Sequence, residues 1–314
     1  MLLRVNAETR LTDACYTIRY SPHVVNQLAI VSCENYGIRG RSTIQLINNH
    51  DQSVFNWSDA VFDVSFVETN PSLIVCASGD GSLLVWQLNK TNSSPVLSLR
   101  EHQREVWCVH WSESRSSDAL LSTSGDGTIK LWNFDSSPML QATLSGHESV
   151  VYEARWHPRR PGLIASVSAD CSLRLFDIKQ SSNIISPRAH PAEILSLDWS
   201  KYDDHLLVTG ACDNRLRLWD TRMITNAVSV FEGHEAAVRR VKFDPHRRDR
   251  LASTGYDGQL KLWNLTPTNS NINIHTERFS KDFIYGLDWN LFERDKLVVG
   301  SWDRIVRFCE IVSM

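Results

Sequence analysis

Four histidines in this chain each stand ahead of an aspartate by nearly the same distance. His102 precedes Asp126 by 24 residues, and His147, His190 and His234 precede Asp170, Asp213 and Asp257 by 23 each. A histidine oriented by a carboxylate is the core of a general acid–base catalyst. An enzyme needs one such constellation, not four copies, so repetition assigns the pairs to structure. A turn histidine, a Ser or Thr on the next strand, the turn aspartate and a tryptophan indole can close a buried hydrogen-bonded set. Trp132, Trp219 and Trp263 follow Asp126, Asp213 and Asp257 at a nearly fixed distance and supply the indole. Gly125-Asp126-Gly127 is a turn and not a phosphate cradle, because no G-x-G-x-x-G opens a helix; H-E-x-x-H, P-loop and G-x-S-x-G motifs are absent. The expectation is a protein that is not an enzyme and that calls for no cofactor and no metal.

The elements that must position these residues follow from the same spacing. Asp80, Asp126, Asp170, Asp213, Asp257 and Asp303 are 46, 44, 43, 44 and 46 residues apart, and each is followed by an aromatic: Trp86, Trp132, Phe176, Trp219, Trp263 and Phe308. A unit of this size cannot bury its apolar side alone, so copies must stack or close into a ring. A period of 43–46 residues with histidine, aspartate and terminal tryptophan is the signature of a WD repeat, one blade of a β-propeller. The expected fold is all-β: a seven-bladed WD40 β-propeller occupying residues 1–314 as a single domain.

Blade one, with strands at 15–20, 27–33, 42–47 and 54–57, lacks the histidine–aspartate–tryptophan set and has a long turn at 34–41. Blades two to six follow at 61–99, 106–144, 151–186, 194–231 and 238–274. Blade seven offers three strands, at 284–289, 296–300 and 305–310. The missing fourth is assigned to residues 1–5, which would close the ring and remove the free edges that invite aggregation.

Composition narrows the partners. A formal charge of −3 gives no reason to expect nucleic-acid or membrane-surface binding. Without a basic segment leading a long apolar run, neither a secretion signal nor direct membrane insertion is expected. Seven cysteines without C-x-x-C spacing, mostly in strand patterns, read as reduced and buried. Clustered arginines (Arg155, Arg159, Arg160, Arg239, Arg240, Arg247, Arg248, Arg250) are balanced by nearby acids, and many are expected in outer turns.

If the four histidines share one rim, the residues after them line the mouth of the central channel on that face. Asp59, Glu105, Glu193 and Asp282 fall there, beside Trp57, Val61, Trp107, Tyr152, Ile194 and Tyr285. Acidic side chains converging on one mouth with apolar neighbours suit a basic amphipathic ligand. Ordinary solvated turn charges are the competing reading.

More specific stretches carry a resemblance. Tyr20-Ser21-Pro22, Gln27-Leu28-Ala29 and Asn35-Tyr36-Gly37-Ile38 lie in the first blade, and Asn56-Trp57-Ser58-Asp59 with Val61-Phe62-Asp63-Val64 enters the second. Glu101-His102 with Glu105-Val106, Gly146-His147-Glu148 through Tyr152, Pro191-Ala192-Glu193-Ile194, Val238-Arg239-Arg240-Val241 and Ser301-Trp302-Asp303 continue it. In these the chain, over essentially its whole length, resembles the peroxin-7 family of WD-repeat import receptors for the peroxisomal type-2 targeting signal. One departure is Ile274-His275-Thr276-Glu277 ahead of the last blade, where a Gly-His pair would stand.

The resemblance implies a receptor shuttling between cytosol and peroxisome matrix. Its cargo would be proteins bearing an N-terminal helix of the form R/K-L/V/I-x5-H/Q-L/A. Its further partners would be a co-receptor, the long form of the type-1 signal receptor, and the peroxisomal docking complex. In a helix, positions one and eight lie about 10 Å apart on one face. The resemblance assigns Asp59 and Glu105, and with them Glu193, to receive the basic groups at those positions. From the residues alone, an adaptor in a ubiquitin-ligase or chromatin complex is the alternative, with a lipid or RNA binder using the arginines behind it.

Overall fold

The structure, a computed structural model, describes residues 2–38, 40–48, 52–88, 94–112, 119–135, 137–180, 182–186, 188–265 and 273–312. Short alternating strands separated by Gly, Asp and Asn turns pair with their sequence neighbours into seven four-stranded antiparallel sheets. The inner strands are Ala14–Tyr20, Val61–Phe66, Val106–Trp111, Val151–Trp156, Ile194–Trp199, Val238–Phe243 and Ile284–Trp289, and they are almost wholly buried. Apolar residues on the faces of adjoining sheets form the core: Ala165, Val167 and Leu175 of blade four, for example, pack with Ile194, Leu197 and Trp219 of blade five.

The last sheet is built from both ends of the chain. Leu2–Arg10 pairs antiparallel with Ile305–Val312, from Leu2 opposite Val312 to Arg10 opposite Ile305. This closing strand is longer than the five residues expected, because its eight-residue partner offers a ladder along its full length; Met1 lies outside the described residues. The outer strand of blade six, Asn273–Arg278, likewise runs past residue 274. His275 and Glu277 therefore belong to that strand, at 3.6 Å from one another, and not to the entrance of blade seven.

Each inner strand carries one irregularity at the same place. The register against the second strand shifts between Cys15 and Thr17, Val61 and Asp63, Val106 and Cys108, and Val151 and Glu153. It shifts again between Ile194 and Ser196, Val238 and Arg240, and Ile284 and Gly286. A β-bulge leaves one residue out of the ladder and re-aims its side chain. The seven bulged residues are Tyr16, Phe62, Trp107, Tyr152, Leu195, Arg239 and Tyr285, and they position the site.

Of the cysteines, Cys15, Cys33, Cys76, Cys108 and Cys309 are buried, while Cys171 and Cys212 are half-exposed; none is in a disulfide. Arg155, Arg239, Arg240 and Arg250 are not in outer turns: they are strand residues, and each is at most 5% exposed.

Candidate functional site

The histidine–aspartate pairs are hydrogen-bond relays inside the blades. His102 Nδ1 lies 2.9 Å from Asp126, its Nε2 lies 2.8 Å from Ser122 Oγ, and the Trp132 indole donates to the same oxygen at 2.9 Å. Because Ser122 accepts from the indole, its own proton goes to Nε2, which leaves Nδ1–H to donate to the aspartate. His190, Asp213, Thr209 and Trp219 repeat the set, as do His234, Asp257, Ser253 and Trp263. In blade four His147 joins Asp170 and Ser166, and Phe176 stands in the indole's place. Burial opposes the charge on Asp126 and Asp170, yet hydrogen bonds from the histidines and from Thr128 and Ser172 hold both carboxyls far below the usual range. These side chains face their own blade and are spent on it.

Each of these histidines stands four residues before its inner strand. Trp57 holds that place in blade two, where its indole donates to Ser78 Oγ at 3.0 Å while the ring packs half-buried against the core of blades one and two. Ser280 holds it before blade seven and accepts from the Asp282 N–H at 2.9 Å. There Arg307, 2.8 Å from Asp303, takes over the ion-pairing role of a histidine.

The mouth itself has an aromatic floor. Arg239 lies 4.5 Å from the ring centre of Tyr285, Tyr285 lies 5.0 Å from Tyr16, and Tyr16 lies 5.6 Å from Phe62. Phe62 stacks on Trp107 at 4.5 Å, and Trp107 meets Tyr152 edge-on at 5.5 Å. A second tier covers the side of blades one, six and seven: Trp302 stacks on Tyr285 at 4.8 Å and touches Phe283 and Tyr36 at 5.0 Å each, and Tyr256 stacks on Phe283 at 4.4 Å. Tyr36 reaches this tier because the long turn of blade one folds back, its carbonyl accepting from the Tyr16 hydroxyl. The fold-back needs Gly37, at φ +67°, where any Cβ would stand 2.6 Å from that hydroxyl.

Carboxylates rim the other side. Asp59 lies against Gly79, whose absent Cβ would be 3.5 Å from Oδ1, and Glu105 lies over Gly125, where a Cβ would strike its carboxylate. Both acids are half-buried. Glu105 also accepts from Arg104 at 3.2 Å, a solvent-exposed contact worth little. Glu193 is exposed at the entrance of blade five and accepts from the Tyr152 hydroxyl at 2.9 Å, which holds it beside the Phe62–Trp107–Tyr152 series.

Two expected members sit elsewhere. Ile194 is fully buried between blades four and five, because it pairs with Ala211 one residue ahead of the bulge; Leu195 occupies the mouth position. Val61 is buried for the same reason, with Phe62 beyond it. Asp282 is exposed in the turn before blade seven, next to Phe283 on the aromatic side. Tyr16, Tyr36, Phe62, Arg239, Tyr256, Phe283 and Trp302 line the mouth without having been singled out for it. Counting five residues on from each histidine, or from Trp57 and Ser280, would have found Phe62, Leu195 and Arg239 beside Trp107, Tyr152 and Tyr285.

Below the floor the channel is plugged by ion pairs. Arg240 bridges Glu153 at 3.1 Å and Asp63 at 3.7 Å, Arg19 pairs with Asp63 at 3.1 Å, and Arg155 lies between Glu153 at 2.5 Å and Asp198 at 3.7 Å. Burial raises the cost of the Asp63 and Glu153 charges, but the arginines outweigh it and hold both carboxyls low.

Among known proteins, a family model described as EIPR1 beta-propeller matches residues 52–263. The peroxisomal targeting signal 2 receptor of Mus musculus is 37% identical over 95% of this chain and 94% of its own length. Its namesake in Homo sapiens is 38% identical over 83% of each chain. Histone acetyltransferase type B subunit 2 of Candida glabrata is 28% identical, over 64% of this chain and 48% of that protein. The WD40 propeller of Doa1 superposes with a TM-score of 0.82 at 18% identity, covering 99% of this chain and 98% of that one, and so shares the fold. Residues 52–263 match the EIPR1 beta-propeller family, and, taken with the closed seven-bladed ring, the similarity along nearly the whole length means that the chain belongs to the family of peroxisomal targeting signal 2 receptors.

Proposed function

We propose that this protein is a cytosolic import receptor that binds the type-2 peroxisomal targeting signal of matrix proteins, a helix of the form R/K-L/V/I-x5-H/Q-L/A, across the channel mouth. The observation that carries this reading is the rim of carboxylates beside an aromatic floor, in a chain whose full-length relatives are named as receptors for that signal. Basic side chains two helical turns apart would meet Asp59 and Glu105 at one end and Glu193 at the other, while the intervening leucines rest on Phe62, Trp107 and Tyr152. Charge-assisted hydrogen bonds at half-buried carboxylates contribute about 1–3 kcal/mol each. Trp57 and Asp282 would act from the edge of this footprint.

In this reading residues 1–314 work as one domain between cytosol and peroxisome matrix. A co-receptor, the long form of the type-1 signal receptor, covers the exposed side of the bound helix, and the docking complex at the peroxisome receives the assembly. The chemistry is recognition, without catalysis. The test is fluorescence anisotropy of a labelled R-L-x5-H-L peptide titrated with the protein, with and without the co-receptor. Saturable binding that disappears when aspartate replaces the peptide arginine supports the receptor. Equal binding of both peptides, or none, removes it and leaves the adaptor reading.

A further inference from the structure

Arg239 is a cation without a carboxylate. It is the bulged residue of blade six and is 5% exposed, and its guanidinium stands over Tyr285. Its bulged place on the inner strand and its contact with Tyr285 set it on the floor. The acids beneath it are already taken. Arg19, Arg155 and Arg240 face Asp63, Glu153 and Asp198, three cations against three anions, and Lys242 has Asp288 at 3.4 Å. Among the described residues none makes a hydrogen bond or ion pair with the Arg239 guanidinium. Burial opposes its charge, yet the fields of Tyr285, Tyr256 and, among the acids, Glu153 and Asp63 outweigh it, so the charge is kept while its N–H donors stay without an acceptor among those residues.

The same floor holds two further donors. The indole N–H groups of Trp107 and Trp302 are buried without an acceptor among the described residues. The mouth is thus uneven: acids rim it at blades two, three and five, with Asp282 exposed at the turn before blade seven, and surplus donors lie on the floor, the strongest of them on blade six.

We infer that Arg239 binds an oxygen acceptor of the signal helix, either a main-chain carbonyl of its last turn or a carboxylate side chain, and so fixes which way the helix lies across the mouth. This rests on the receptor reading above. If the first basic residue of the signal meets Asp59 and Glu105 and the second meets Glu193, the C-terminal end comes over blade six. There the partial negative charge of the terminal carbonyls meets the buried cation. A helix laid in the opposite direction would bring its N–H end onto Arg239 and be rejected.

The experiment is anisotropy on the full chain, comparing wild type, Arg239→Gln and Arg239→Lys. The probes are the parent R-L-x5-H-L peptide and a panel with Glu, Gln or Lys at each spacer position and at the two positions after the signal. Arg239→Gln should weaken the parent peptide by at least about tenfold at an unchanged melting temperature. A uniform loss across the panel identifies the carbonyl. A Glu position that favours wild type but not Arg239→Gln identifies the side chain, and Arg239→Lys should restore part of either. Equal affinity of wild type and Arg239→Gln for the whole panel overturns the inference and leaves the receptor reading standing. Failure of wild type to bind the parent peptide overturns both. If Arg239→Gln does not fold, the lysine scan on wild type decides: some position must lose at least about tenfold, and a flat scan overturns the inference.

Discussion

Asp213 receives His190 on both carboxylate oxygens at 3.0 Å and has Arg217 at 3.3 Å. Burial works against its charge, but the His190 hydrogen bond and the neighbouring cations hold its pKa below the ordinary value. Removing the carboxylate leaves the imidazole N–H unpaired, so Asp213→Ala should lose about 1–3 kcal/mol of stability in denaturant unfolding. The sign of the pH dependence follows from linkage. A carboxyl with a depressed folded pKa stabilises fully above its unfolded value and loses that contribution as pH falls through the folded one. The gap between wild type and Asp213→Ala should therefore be full at neutral pH and close below about pH 4. Gly125 separates stability from binding. The nearest atoms a methyl there would meet belong to the movable end of Glu105, so Gly125→Ala should leave the melting temperature nearly unchanged while weakening a signal peptide that needs Glu105. A loss of fold with no loss of affinity in the surviving protein would contradict this.

Strands and turns decide which side chains meet the ligand. Blade number, strand order and ring closure are legible in the sequence because the aspartate period and the alternation of apolar residues express them directly. The bulge does not show, since one unpaired residue per inner strand leaves the apolar pattern intact. It nevertheless moves the mouth position from Ile194 to Leu195 and from Val61 to Phe62. Glu105 and Glu193 needed no such correction, because each directly precedes its inner strand. The arginines misled for another reason: on an exposed turn and on a channel-facing strand they look alike in sequence, and only the ring brings Arg240 to Glu153 and Asp63. At this scale the closing strand makes its own prediction. Deleting residues 2–10 strips the partner from Ile305–Val312 and exposes an unpaired edge. The shortened protein should melt well below the full chain and form oligomers in size-exclusion chromatography. An unchanged monomer would mean that the ring does not depend on that strand.

Across the whole molecule, the ring gathers charges from blades far apart in sequence. Arg240 of blade six reaches Glu153 of blade four and Asp63 of blade two across the channel, and Arg155 and Arg19 complete the plug. Glu153→Ala leaves Arg240 with Asp63 alone and Arg155 with Asp198 alone, each at 3.7 Å in a buried setting, and should cost about 3–5 kcal/mol in a single cooperative transition. The same plug closes the channel below the aromatic floor, which makes the mouth a shallow platform and not a conduit. A helix lying on a platform is read from one side, leaving its other side for a second protein. The account's central claim is that rim carboxylates on this platform receive the basic groups of the signal. Its most direct test is a charge exchange: affinity of the Asp59→Lys/Glu105→Lys protein for the R-L-x5-H-L peptide and for the same peptide with glutamate in place of arginine. The account predicts that the altered protein, with sheet content and melting temperature kept, loses the first peptide and gains the second. Unchanged binding of the arginine peptide by a folded double variant would contradict it.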